Sequence, residues 1–126
     1  MPTITQRTQA SDWLKFEEDN YFSREAAIIA SGSGKLETGT VLAKLTASGK
    51  YVPAAASGAD GSQTAAAVLF TPVDATSADQ KAVIVSRHAI ASHAGLIYGA
   101  TINDATKRAT ANGQLGAVGI RVREGA

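Results

Sequence analysis

The sequence predicts a mainly β fold with one short helix near the C-terminus, and three observations carry that expectation. Short apolar runs rich in Val, Ile, Leu and Ala are bounded by turn-forming residues, as strands are. The 12 glycines are spread along the chain and punctuate those runs. One late stretch, "NDATKRATANG", carries the punctuation of a helix instead.

Taken in order, residues 1–12 ("MPTITQRTQASD") offer only Ile4 and Met1 as large apolar groups. Ordering such a segment costs more than ~10 kcal/mol of backbone entropy. One buried isoleucine returns about 2 kcal/mol, so these residues are expected to be disordered in the free protein. "WLKF" and "YFSREAAIIAS" flank the polar turn "EEDN" and read as two strands. "REAAIIA" also suits a short helix by propensity, but the flanking aromatics and the Gly32-Ser33-Gly34 that follows favour strand. "GTVLAKLT" (39–46) and "KYVP" form a hairpin around "ASG", with Gly49 at positive φ and Pro53 ending the second strand. "AAASGADGSQ" is a loop. "TAAAVLFTPV" and "KAVIVSRHAI" are strands joined by the turn-rich "DATSADQ", and Val83-Ile84-Val85 reads as a central strand covered on both faces. Asn103 or Asp104 caps the helix, Gly113 takes the position after its end, and "QLGAVGIRVRE" closes the chain as a strand. No fixed-period repeat is evident.

The 126 residues fit one domain with an arm. The 44% hydrophobic content is carried largely by alanine, with aromatics at only 6%, so a monomer of limited stability that gains from association is expected. A net charge of +1, with no basic run beyond Lys107-Arg108, argues against nucleic acid as partner. The absence of cysteine excludes disulfides and thiolate metal sites. No apolar run approaches the roughly 20 residues of a membrane span. Met1-Pro2-Thr3 begins neither a signal peptide nor a myristoylation site, so synthesis in a reducing cytoplasm is expected.

Four features of the sequence bear on chemistry. "SGSGKLET" lacks the first glycine and the final hydroxyl of a phosphate loop and reads as a turn between strands. His88 and His93, five apart, fall on different faces of a strand or a helix, so rim or interface roles outweigh a metal pair. No Gly-x-Ser-x-Gly elbow occurs, and Glu17-Glu18-Asp19 read as solvated turn charges. No enzyme activity, cofactor or metal is expected.

The N-terminal region is uneven in another way. Residues 11–22, "SDWLKFEEDNYF", hold four of the seven aromatic side chains and four of the eleven acids. Residues 11–25 carry a local charge of −3, which leaves +4 for the rest of the chain.

The run "GTVLAKLTASGKYVPAAASGADGSQTAAAVLFTPVDAT", then "KAVIVSRHAI", resembles the head decoration protein D family of tailed bacteriophages, the lambda-type capsid cement. "SREAAIIASG" upstream and "INDATKRATANGQLGAVGIRVR" downstream extend the likeness over roughly residues 14–123. The resemblance implies a compact β-tulip-like domain (32–126) with an extended N-terminal arm (1–31). It implies a non-enzymatic homotrimer on the outer surface of the virion, bound to the major capsid protein at threefold and quasi-threefold positions of an expanded head. The arm differs from the Pro- and Gly-rich arm of the lambda protein. Here Ile4, Trp13, Leu14, Phe16, Glu17, Tyr21, Phe22 and Arg24 are the candidate capsid-binding residues. Trp13 alone can bury about 200 Å², an upper estimate near 5 kcal/mol. The same aromatics could instead pack on the subunit's own sheet, or divide between sheet and partner. Two other classes stay open at this point, a glycan- or host-binding β module on a virion and a small hydrolase dependent on His88 and His93.

Overall fold

A computed structural model describes residues 13–17 and 24–123. Their strands are β1 (Leu14–Glu17), β2 (Arg24–Ile29), β3 (Gly34–Leu36), β4 (Val41–Lys44), β5 (Tyr51–Pro53), β6 (Ala65–Leu69), β7 (Val73–Ala75), β8 (Gln80–Val85), β9 (Ala89–Ser92) and β10 (Ile120–Arg123). A 3-10 turn (His93–Gly95) follows β9, and one helix, α1 (Ala105–Ala117), precedes β10. The chain is thus mainly β with one short C-terminal helix. Strands close a barrel in the order β2-β5-β4-β6-β8, with a three-stranded sheet β1-β9-β10 and a two-stranded ribbon β3-β7 beside it. The expected disorder of residues 1–12 and residues 18–20 of the expected "EEDN" turn lie outside the described residues, whereas Glu17 is the last residue of β1 and no turn charge.

The centre of the barrel wall is β8. It pairs with β2 over six positions, from Arg24↔Val85 to Ile29↔Gln80, and with β6 at Val68↔Val85 and Leu69↔Ile84. That continuous antiparallel ladder holds "REAAII" as strand against the helix preference of its alanines and glutamate. The β4–β5 hairpin forms as expected, with Leu42 opposite Pro53 and Gly49 at φ +73. A bulge in β6 breaks the register between Leu42↔Ala67 and Ala43↔Ala65. It sends Ala65 and Val68 to one side of the wall and Ala67 and Leu69 to the other.

The wall therefore separates two cores. Every stave contributes to the inner one: Ile29, Leu42, Tyr51, Ala67, Leu69, Ala82 and Ile84. The outer one sets Val41, Ala43, Val68 and Val85 against Trp13, Ala89, Ala91, Leu96, Leu115 and Ile120. One strand serves both because neighbouring side chains point to opposite faces.

Tyr51 lies along the inner core and is almost fully buried. Its hydroxyl is 3.4 Å from Glu25 Oε1, while Glu25 Oε2 accepts a 2.7 Å bond from Arg87. Burial first, and the Glu25 charge beside it, push the Tyr51 hydroxyl above its ordinary value of 10.0. The folded state then holds this proton more tightly than the unfolded state, so the associated stability is fully present below pH 10.0 and is lost as pH rises through the folded value. Tyr51→Phe is expected to flatten the alkaline limb of a Tm-against-pH curve relative to the parent protein. An unchanged limb would assign alkaline loss to other groups.

Several boundaries differ from the sequence reading, and "TAAAVLFTPV" and "KAVIVSRHAI" are each divided, the first between β6 and β7 and the second between β8 and β9. Asp104 caps α1, accepting the Lys107 N–H at 2.8 Å, but the helix runs through Gly113 to Ala117. Leu115 is fully buried, and the Gln114 side chain accepts the Ala65 N–H at 2.8 Å and donates to Gln63 O at 3.3 Å. These contacts outweigh the roughly 1 kcal/mol cost of a mid-helix glycine. Gly119, at φ +90, takes the position after the C-cap Val118. The last strand accordingly starts at Ile120 rather than Gln114. Likewise "SGSGKLET" and "DATSADQ" are not turns throughout, because Gly34↔Ala75 and Leu36↔Val73 pair as β3 and β7. Leu36 and Val73 pack on the inner core, which fixes that ribbon.

Candidate functional site

The strands that bracket the N-terminal aromatic cluster do not pair with each other. Instead β1 adds to β9 (Leu14↔Ala91, Phe16↔Ile90, Glu17↔Ala89), and β2 is a barrel stave. The chain enters this arrangement at Trp13. Its side chain is 0% exposed in the outer core. The indole N–H donates to Thr38 Oγ1 at 2.9 Å, and Thr38 donates in turn to Leu69 O at 3.3 Å. The Trp13 carbonyl accepts the Ser92 N–H at 2.7 Å. A buried indole whose polar atom is satisfied, and whose backbone is tied to a sheet, is a rigid anchor.

The other described candidates sit around that anchor. Leu14 packs half-buried against the outer core. Arg24 donates two bonds to Glu17, at 2.6 and 2.8 Å, tying the last residue of β1 to the first of β2. The same guanidinium lies 3.9 Å over the Phe70 ring. Bidentate pairing with ring stacking suits arginine and no other cation. Phe16 lies in β1 in register with Ile90. Ile4, Tyr21 and Phe22 lie outside the described residues. The structure thus brings Trp13, Leu14, Glu17 and Arg24 together where β1 and β2 begin the body. Thr38, Phe70 and Ser92 complete the site together with Gly39, where an added Cβ would lie 2.9 Å from Trp13 Cδ1, and the sequence reading missed all of them. Each is remote in sequence from its partner, so no local spacing could have marked it.

The two histidines are separated in role. His88 is exposed in the turn between β8 and β9, at φ +48. His93 is half-buried, its Nδ1 2.9 Å from the Tyr98 hydroxyl and 3.1 Å from Asn112 Nδ2. Tyr98 in turn donates to Asn112 Oδ1 at 2.5 Å. This is a packing network between the 3-10 turn and α1. Among the described residues no group of three or more His, Cys, Asp or Glu is placed to hold a metal, and no helix is long and apolar enough to cross a membrane. What the arrangement can do is hold the start of β1 rigidly on the body.

The family model of bacteriophage lambda head decoration protein D matches residues 3–120. No curated protein matches the chain.

Proposed function

We propose that this chain, which belongs to the bacteriophage lambda head decoration protein D family, binds as a homotrimer at threefold and quasi-threefold positions of an expanded phage head and strengthens that shell. The family is a structural one of the phage capsid, not an enzyme family. The match over residues 3–120 is the observation that carries the reading. The major capsid protein is the proposed partner, the outer surface of the virion the proposed location, and the host cytoplasm the proposed place of synthesis.

The geometry of the entry site supports a division of labour. Trp13 acts as the anchor within the subunit, and the arm proper is the chain before it, with Ile4 its apolar contact. Leu14, Phe16, Glu17, Tyr21, Phe22 and Arg24 contribute further capsid contacts. Three arms on one trimer bind multivalently, so weak single contacts sum to attachment about 10²–10⁴-fold tighter.

The test is sedimentation of purified protein with expanded, undecorated heads of the cognate phage, comparing the full chain with one lacking residues 1–12. A deletion reaching residue 22 would also remove Trp13 and β1 from the body. Saturable binding at one trimer per threefold position, weakened by about 10²-fold or more on truncation, is expected. Undiminished binding after truncation would move the affinity to the body. No binding by the full chain would overturn the decoration reading itself.

A further inference from the structure

We infer that the open edge of β10 accepts an extended, acidic segment of the shell as an added strand, a contact separate from the N-terminal arm. The identity of the partner rests on the decoration reading above. The existence of the edge does not.

β10 ends the sheet order β1-β9-β10 and pairs in parallel with β9 alone. Gly119 O accepts the Ala89 N–H at 3.1 Å, and the register runs Ile120↔Ala89, Arg121↔Ile90, Val122↔Ala91. In a parallel ladder alternate residues direct their backbone groups to opposite neighbours. Gly119, Arg121 and Arg123 therefore face β9, and the N–H and C=O of Ile120 and Val122 face outward. Among the described residues no strand meets them. A row of unused donors and acceptors of this kind is a template for strand addition.

The space beside that edge suits a strand. A trough of about 350 Å³ lies between α1 and β10, lined by Asn112, Gly116, Gly119, Arg121 and Val122. At Gly116 even a Cβ would meet nothing within 4 Å, so a second backbone has room on the helix side.

Charge selects the occupant. Ile120 is buried in the outer core and Val122 packs against it, which places Arg121 and Arg123 on the opposite face, both exposed. Neither forms an ion pair among the described residues. Edge cations normally oppose pairing between like edges. Two copies meeting β10 to β10 would set arginines against arginines, so pairing between like edges is disfavoured. Residues 1–12 carry only Arg7 and Asp12 as charged side chains and so offer no net negative charge. An acidic strand satisfies both the open backbone and the two guanidinium groups.

Hydrogen exchange measured on wild-type protein, free and bound to expanded undecorated heads, tests this directly. The Ile120 and Val122 amides are expected to slow by about tenfold or more on binding. Arg121→Glu/Arg123→Glu, on exposed positions, is expected to keep the parental Tm and to lower head affinity by about tenfold or more. Val122→Pro removes one outward N–H and should weaken binding similarly. Should it fail to fold, the exchange data and the charge reversal decide. Protection of these amides already in the free protein would assign the edge to a second copy and overturn the inference. So would wild-type binding with β10 exchange unchanged, or full affinity after charge reversal, while leaving the decoration reading intact. Failure of wild-type protein to bind heads would remove both.

Discussion

Trp13→Ala is expected to destabilise the fold by about 4 kcal/mol, the largest effect of any single truncation at the N-terminal site. The side chain is fully buried in the outer core, whose members include Val41, Ala91 and Leu115, so its removal leaves a cavity that the closed barrel wall can fill only partly. Large-to-small aromatic changes in such places cost about 3–5 kcal/mol. The Thr38 hydroxyl also loses the indole donor at 2.9 Å, although its own bond to Leu69 O persists. For a chain of this size a loss of about 4 kcal/mol lowers Tm by about 12–20 °C. Small domains hold only about 5–15 kcal/mol in total, so the variant should be largely unfolded at modest urea concentrations. Urea titration followed by circular dichroism reads the effect, since the only tryptophan is the one removed. Trp13→Phe keeps most of the apolar volume and should recover more than half of the loss. A cost below about 1 kcal/mol for Trp13→Ala would be the value of an exposed position and would place the indole outside the core. Deletion of residues 1–12, by contrast, is expected to leave Tm nearly unchanged.

Those two outcomes together explain what the sequence could and could not disclose. The barrel strands were legible because apolar runs such as Val83-Ile84-Val85 coincide with a stave paired on both sides. The β4–β5 hairpin was legible because "ASGK" brings its own turn chemistry. The closure of five staves into a barrel was not, since it depends on β2 meeting β5 at the single position Ile29↔Tyr51. The end of α1 was misplaced because Gly113 looks like a terminator until Leu115 and Gln114 are seen to engage the body. The aromatic cluster at residues 13–22 was visible as an anomaly of composition. The partner of Trp13 was not, because Thr38 is 25 residues away and carries no pattern of its own. A bulky residue announces that it will be buried, but not against what.

Gly39→Ala is the second large expected effect, about 2–4 kcal/mol, and it tests the same anchor from the opposite side. Gly39 sits at φ +94, where a side chain is strained by about 1–2 kcal/mol before any contact is counted. An added Cβ would also lie 2.8 Å from Gly95 O and 2.9 Å from Trp13 Cδ1. The backbone has little room to yield. The Gly39 N–H donates to Leu69 O and its carbonyl accepts the Ile97 N–H, each at 2.8 Å, so the residue is held from two sides. In the Trp13→Ala background the indole overlap disappears while the φ strain and the Gly95 overlap remain. The cost of Gly39→Ala should therefore shrink by about 1 kcal/mol or more, a coupling that a double-mutant cycle measures directly. Additivity within about 0.5 kcal/mol would mean that the two groups do not touch. Coupling of the expected sign would establish why a glycine stands at this position: the indole that fixes the start of the body packs directly onto its backbone.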